Sequence, residues 1–177
     1  MNQVFIDQWR ETAEAFDQRY QAVGEQWEAA TPCEGWCVKD LVEHAVATQQ
    51  QIAGGVLGVQ LEEGAEWPAL RDGINAALGD PSVLDGQMPE GGPFGPMPKS
   101  MMFGIGISDL LIHTWDLSRA IGADETLPAG PVTSSYMGLQ RMPAEAIRAE
   151  GRFNAAIAVA DDADEQTKLL SFAGRQV

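Results

Sequence analysis

The spacing of apolar residues predicts long amphipathic helices along most of the chain. In the N-terminal stretch, apolar side chains recur at steps of three or four and form one aromatic face, made of Phe5, Trp9, Ala13, Phe16, Tyr20, Val23 and Trp27. Acidic and amide residues fill the positions between them, as in a helix that packs one face against a core. The pattern predicts a first helix over residues 2–29, ended by Thr31-Pro32.

A second helical pattern follows over residues 38–53. Its apolar stripe consists of Val38, Leu41, Val42, Ala45 and Ile52. Cys37 stands at the N-cap position and Asp40 three residues later, which predicts an imperfect capping box. Three glycines after Ala53 predict the end of this helix.

The remaining segments predict further helices separated by irregular chain. A short helix is predicted over 68–78, followed by an irregular loop over 79–98 and a long helix over 99–121 that Gly122 stops. A further helix over 132–141 is interrupted by Pro143 and resumes over 144–150. An extended segment over 153–160 follows, and the last helix begins at Asp162, with Glu165 as its capping partner, and stops at Gly174. No repeat or linker divides the chain. The fold class is therefore all-α, with one domain over 1–177.

The net charge and the lengths of the apolar runs argue against two classes of function, nucleic-acid binding and membrane insertion. The net charge is −15, which opposes binding to nucleic acid and to anionic membranes. No apolar run approaches the length of a membrane span, and the N-terminus lacks the pattern of a secretory signal. We expect a cytoplasmic protein that binds neither nucleic acid nor membrane.

The two histidines of the chain fall on core-leaning faces of two different helices. His44 lies beside the stripe of the second helix, and Asp109 precedes His113 by one turn of the long helix. Residues four apart on a helix share a face, so this acid and imidazole can meet at one metal ion. The alternative is a core histidine hydrogen-bonded to Asp109 or Asp116.

Asp116 and the two cysteines allow more than one interpretation. Asp116, one turn after His113, is an acceptor for the imidazole N–H, a substitute ligand, or a solvated acid. The spacing of Cys33 and Cys37 is that of neither a redox motif nor a structural zinc site, and we interpret both as buried small residues. The alternative is a reactive thiol near a helix N-terminus.

Three segments carry a resemblance to a known family: TPCEGWCVKDLVEH at 31–44, ISDLLIHTWDLSRAIG at 107–122, and the tail at 153–175. Together they resemble the mycothiol-dependent maleylpyruvate isomerase and DinB-like metal-binding family. The resemblance implies a DinB-like four-helix bundle with short accessory helices and an extended C-terminal segment. It also implies that His44, Asp109 and His113 bind a divalent metal, zinc first and nickel second.

The resemblance also implies a function. It implies a low-molecular-weight thiol cofactor such as mycothiol, in an isomerase or S-transferase that acts on a small electrophile. A metal-dependent hydrolase and a non-catalytic metal-binding bundle are the alternatives. The partners are then a small-molecule substrate or thiol, and the protein is a monomer or homodimer. In relatives, the stretch matching the loop over 79–98 covers the mouth of the site.

Two departures from the family pattern matter. Asp109 replaces the glutamate of the isomerase, which shortens the acid ligand by one methylene. The isomerase also has an additional C-terminal domain, whereas this sequence ends at Val177, soon after its last helix. We therefore do not expect maleylpyruvate isomerisation itself.

Overall fold

The computed structural model describes residues 2–62, 64–89, 96–148 and 153–177, and its regular structure is helical. Its α-helices are α1 (Asn2–Ala22), α2 (Val38–Ile52), α3 (Trp67–Ala77), α4 (Lys99–Ile121), α5 (Ala129–Gln140), α6 (Ala144–Arg148) and α7 (Glu165–Phe172). A π-helical turn, Ala53–Leu57, extends α2, and a 3-10 helix, Pro81–Leu84, follows α3. Within these ranges β-pairing is limited to two isolated bridges, so the all-α prediction is confirmed.

Helix α4 is the centre of the bundle and packs against α1, α2 and α5. From residue 106 to 118 every residue is buried except Asp109. One side of α4 joins a core with α1, α2 and α3, and the other side joins a core with α5 and α7. Gly106 lets α2 approach closely, because a Cβ atom there would lie 3.1 Å from Cγ1 of Ile52.

The predicted end of α1 is wrong. The helix ends at Ala22, and Gly24 adopts a φ of +55°, which favours glycine and stops the helix. The aromatic pattern continues into the following loop, where Trp27 packs edge-on against Tyr20 at 5.9 Å between ring centroids. The prediction made the helix too long because it relied on apolar spacing alone.

The N-terminus of α2 agrees with its prediction, while two other helix ends differ. The Asp40 carboxylate accepts hydrogen bonds from the backbone N–H of Cys37 at 2.9 Å and from its thiol at 3.0 Å. Beyond Ala53 the chain continues as the π-helical turn instead of stopping. Helix α7 begins at Glu165 and not at Asp162, because Asp164 provides the cap by accepting from the Thr167 N–H at 2.8 Å.

The remaining predictions of regular structure agree closely with the fold. Helix α4 has the predicted bounds with Gly122 as its C-cap, and α3 is displaced by one residue. Helix α5 begins three residues earlier than predicted, at Ala129, and ends one residue earlier. The segment over 153–160, predicted as extended, forms neither a helix nor a strand, and its Ile157 N–H donates to the Ser171 carbonyl at 2.9 Å.

Two predictions extend beyond the described part of the chain. Most of the Gly-Pro-Phe-Gly-Pro turn of the 79–98 loop lies outside the described residues, so a cover over the site stays a prediction. The end of the helix predicted over 144–150 also lies outside them. Among the helices that the structure describes, none has the length and apolar character that crossing a membrane requires.

Candidate metal centre

The packing of α2 against α4 brings His44, Asp109 and His113 together. One potential ligand atom from each residue lies within 4.8 Å of the other two. The Oδ1 atom of Asp109 is 3.9 Å from Nε2 of His44 and 3.7 Å from Nε2 of His113. Ligands bonded tetrahedrally to one zinc ion are about 3.4 Å apart. Small side-chain movements would therefore bring these atoms to ligand spacing.

Asp109 has an unpaired acceptor at this point. Its Oδ2 atom is buried and accepts no hydrogen bond among the described residues. A buried carboxylate oxygen without a partner is unfavourable, and a cation would satisfy it. Two imidazole nitrogens and a carboxylate are a ligand set that zinc and nickel both accept. The residues present therefore fit a divalent metal.

Asp116 supports the ring of His113 from behind. It is completely buried, and its Oδ2 atom lies 3.0 Å from Nδ1 of His113. An ionised carboxylate only accepts hydrogen bonds, so Nδ1 carries the proton and Nε2 faces Asp109. The solvated-acid interpretation of Asp116 is wrong, and its contact with His113 is that of an acceptor for the imidazole N–H.

Arg175, from the segment after α7, binds the same carboxylate. Its Nε donates to Oδ1 of Asp116 at 3.1 Å and its Nη2 donates to Oδ2 at 2.7 Å. The Arg175 side chain is only 11% exposed, so this is a buried, bidentate ion pair. No spacing in the sequence connects Arg175 to α4, because the two are joined only by tertiary packing.

Cys33 also reaches this cluster. Its thiol lies 3.4 Å from Oδ2 of Asp116 and 3.6 Å from Nη2 of Arg175. Cys33 and Cys37 are both partly exposed free cysteines. The interpretation of the two cysteines as buried small residues is therefore wrong.

The charged neighbours set the protonation of this network. Burial by itself would lower the pKa of His113, but the negative charge of Asp109 and the hydrogen bond to Asp116 raise it to about 10. Burial would raise the pKa of Asp116, but hydrogen bonds from His113 and Arg175 lower it to about 2. These surroundings favour positive charge at the His113 ring, and a metal ion would take the place of the proton at Nε2.

The site opens into a cavity of about 680 Å³ between α2, α4 and the C-terminal segment. Trp36 lines its polar end, with its ring centroid 4.8 Å from that of His44. The loop before α2 holds Trp36 in place, since the Thr31 hydroxyl donates to the Trp36 carbonyl at 2.9 Å. The volume is in the range of small-molecule sites. Trp36 precedes the N-cap of α2, and no periodic pattern places it beside His44.

Residues 9–96 match the family model described as the mycothiol maleylpyruvate isomerase N-terminal domain. This range contains His44 but ends before Asp109 and His113. Two curated relatives from two strains of Mycobacterium tuberculosis, "Uncharacterized protein MT0763" and "Uncharacterized protein Rv0738", are each 31% identical over 106 residues. Each alignment covers 55% of this chain and 56% of the relative, so the chain spans little more than half of their length. No solved structure gives a significant match.

Proposed function

Because the chain belongs, through residues 9–96, to the mycothiol maleylpyruvate isomerase N-terminal domain family, we propose that it binds one divalent metal ion and uses it in a thiol-dependent reaction. The ligands are His44, Asp109 and His113. The observation that carries this proposal is the convergence of the three side chains on the wall of a cavity, where Oδ1 of Asp109 lies 3.7 and 3.9 Å from the two histidine Nε2 atoms. The buried Oδ2 atom of the same carboxylate has no partner among the described residues.

Each side chain has a distinct part in holding the ion. His44 and His113 offer neutral nitrogens, and Asp109 offers an anionic oxygen. Asp116 keeps the proton of His113 on Nδ1, which leaves the lone pair of Nε2 free for the ion. Zinc is the proposed ion, with nickel as the second choice. When bound, such a metal lowers the pKa of a thiol, so that a thiolate nucleophile exists at neutral pH.

The charges of the site favour a monoanionic nucleophile. Asp116 and Arg175 neutralise each other as a buried pair. Asp109 then offsets one of the two charges of a divalent ion and leaves one positive charge unbalanced. A thiolate would balance it, as would the hydroxide of the hydrolase alternative. The family match favours the thiolate, and with it a thiol cofactor of the mycothiol type and an isomerase or S-transferase acting on a small electrophile. Free cysteines are usual in reducing compartments, which supports a cytoplasmic location.

Metal content tests the site. In protein purified without a nickel column or histidine tag, His44→Ala and His113→Ala should each abolish stoichiometric metal binding. Both should keep a helical circular dichroism spectrum, since burial in the bundle supplies most of the stability. Glu43→Ala, at an exposed position beside His44 on α2, is the matched control and should keep its metal. Full metal content in either histidine variant would refute the site.

Thiol binding tests the reaction class. Cobalt-substituted protein should develop a sulfur-to-cobalt charge-transfer band when mycothiol is added. The variant Cys33→Ala/Cys37→Ala should give the same band, which excludes the protein's own thiols as the source. A spectrum that mycothiol, bacillithiol, glutathione and coenzyme A all leave unchanged would reject the thiol-dependent reaction and leave the hydrolase and the non-catalytic bundle.

A further inference from the structure

The cavity wall beyond the three candidate ligands is mostly apolar. Several separate parts of the chain supply it, among them the stretch after the 3-10 helix, α4, α5, α6 and the C-terminal segment, through Met88, Met102, Ile105, Leu139, Ile147 and Phe153. Met142 adds a third methionine. Methionine side chains are flexible and polarizable and adapt to apolar groups of varied shape. The wall therefore suits a hydrocarbon group.

Beyond the candidate ligands, the described residues that line the wall offer no free Lys or Arg side chain. Arg175 is the one Lys or Arg side chain among the described lining residues, and its guanidinium is already bound. Its Nε and Nη2 donate to Asp116, and its Nη1 donates to the Ala173 carbonyl at 3.0 Å. The acids Glu34 and Asp109 also line the cavity and repel anions. A carboxylate placed against this wall would lose water without gaining a cationic partner.

We infer that the electrophile is an uncharged molecule with an apolar tail, for example an α,β-unsaturated ketone, and not a dicarboxylate. The inference rests on the proposed function, because the thiolate sulfur supplies the attacking electron pair. The sulfur forms a bond to the β-carbon, and the electron pair of the C=C bond moves to the α-carbon and carbonyl oxygen. The α-carbon then takes up one proton, so that one thiol and one ketone give one thioether.

A series of unreactive ketones tests the apolar wall without alkylating the cysteines. Calorimetry should show affinity rising from 2-pentanone through 2-heptanone to 2-nonanone by about three- to fourfold per added methylene. A ketone of the same length with a terminal carboxylate should bind at least about tenfold more weakly than 2-nonanone. The purified protein is measured before and after treatment with a chelator, so that binding of the carboxylate to a metal is recognised.

Two lysine substitutions on α4 test where the tail lies. Ile105 lines the cavity one turn before Asp109, whereas Met101 is 49% exposed on the same helix. Ile105→Lys should weaken 2-nonanone binding by at least about tenfold, because the apolar tail would bury the new ammonium group without a partner. It should strengthen binding of the keto acid, because the ammonium attracts the carboxylate. Met101→Lys should change neither. Ile105→Thr, a milder change, should weaken 2-nonanone binding in the same direction.

The rate at which the metal-loaded protein adds mycothiol to unsaturated ketones extends the test to turnover. With mycothiol, kcat/KM should rise from 3-penten-2-one to 3-nonen-2-one. A flat ketone series, or a keto acid that binds the chelator-treated protein as tightly as 2-nonanone, would overturn the inference.

The failure of each proposal has its own signature. If the ketones bind as expected while the metal and thiol experiments fail, the apolar binding site stands and the proposed reaction falls. If metal and thiol bind but the ketone series is flat, the inference alone falls.

Discussion

The two ring nitrogens of His113 face opposite kinds of neighbour. Nδ1 donates to buried Asp116, and Nε2 points toward Asp109 and the cavity. Since its pKa is raised to about 10, the ring of the metal-free protein is protonated at neutral pH. A metal ion must displace that proton, so apparent metal affinity should increase as pH rises.

At pH 8 we expect metal binding to release about one proton from His113. Calorimetry in buffers of different ionisation enthalpy measures this number directly. In Asp116→Asn the ring loses the carboxylate that stabilises its charge, so its pKa falls and the release at pH 8 should be smaller. Wild-type protein that releases no proton at pH 8 would show that the ring is already neutral.

Asp109 tests the acid ligand. Its Oδ1 atom already lies 3.7 and 3.9 Å from the two histidine nitrogens, close to the spacing around one ion. Asp109→Glu moves the carboxylate by about one C–C bond past this position, so we expect weaker metal binding. Tighter binding, measured by competition with a chelator, would mean that the shorter acid compromises the site.

Asp109→Ala and Asp116→Ala distinguish a ligand from a supporting residue. Loss of Asp109 removes the anionic ligand, whereas loss of a residue that orients a ligand costs about 10–100-fold in metal affinity. We therefore expect Asp109→Ala to be the more damaging by a clear margin. The reverse order would assign the ligand role to Asp116 and place the site one turn further along α4.

The proximity of His44, Asp109 and His113 could be predicted, because one helical repeat pairs the last two and the chain has no other histidine. The sequence did not predict the positions of three further residues near the site, Arg175, Cys33 and Trp36. Each lies in a segment without helical periodicity, so its position at the site depends on how loops pack against α2 and α4.

At the scale of elements, Arg175 fastens the segment after α7 to the middle of α4. Arg175→Leu removes one of two cationic partners of the buried Asp116 carboxylate and leaves it paired with His113, which should cost about 1–3 kcal/mol of unfolding free energy. Urea denaturation measures this cost. Lys39→Met, which breaks an exposed pair with Glu43, is the matched control and should change stability by less than about 1 kcal/mol.

The double variant Asp116→Asn/Arg175→Leu separates the charge from the packing of Arg175. Neutralising the Asp116 carboxylate, which has lost one of its two cationic partners, should restore part of the lost stability. If Arg175→Leu alone is as stable as the parent, the ion pair does not hold the segment in place.

Helix ends were predictable where backbone chemistry marks them. Helix α4 lies between Pro98 and Gly122, and both residues act as caps. The end of α1 was not predictable from the apolar pattern, because the aromatic spacing continues through a loop whose turn depends on Gly24. Several acids precede α7, and the choice of Asp164 as the cap follows from its hydrogen bond to the Thr167 N–H.

At the scale of the whole molecule, two apolar cores flank α4 and neither includes the candidate ligands. Removal of the metal should therefore leave the helical circular dichroism spectrum unchanged and cooperative unfolding intact. The thermal midpoint should fall on chelation and recover on re-addition of the ion, since an ion that binds only the folded state stabilises it. Loss of helical signal on chelation would show that the ion is needed for folding.

The position of α4 between two cores also bears on how the protein can change over generations. Residues 106–118 are buried except Asp109, and two candidate ligands lie among them, so we expect substitutions there to affect folding and chemistry together. Met88, Met142 and Phe153 line the cavity from outside α4 and are only partly buried, so they can vary more independently. Laboratory selection for a new substrate should therefore accumulate changes at these outer positions, while α4, which carries Asp109 and His113, stays unchanged.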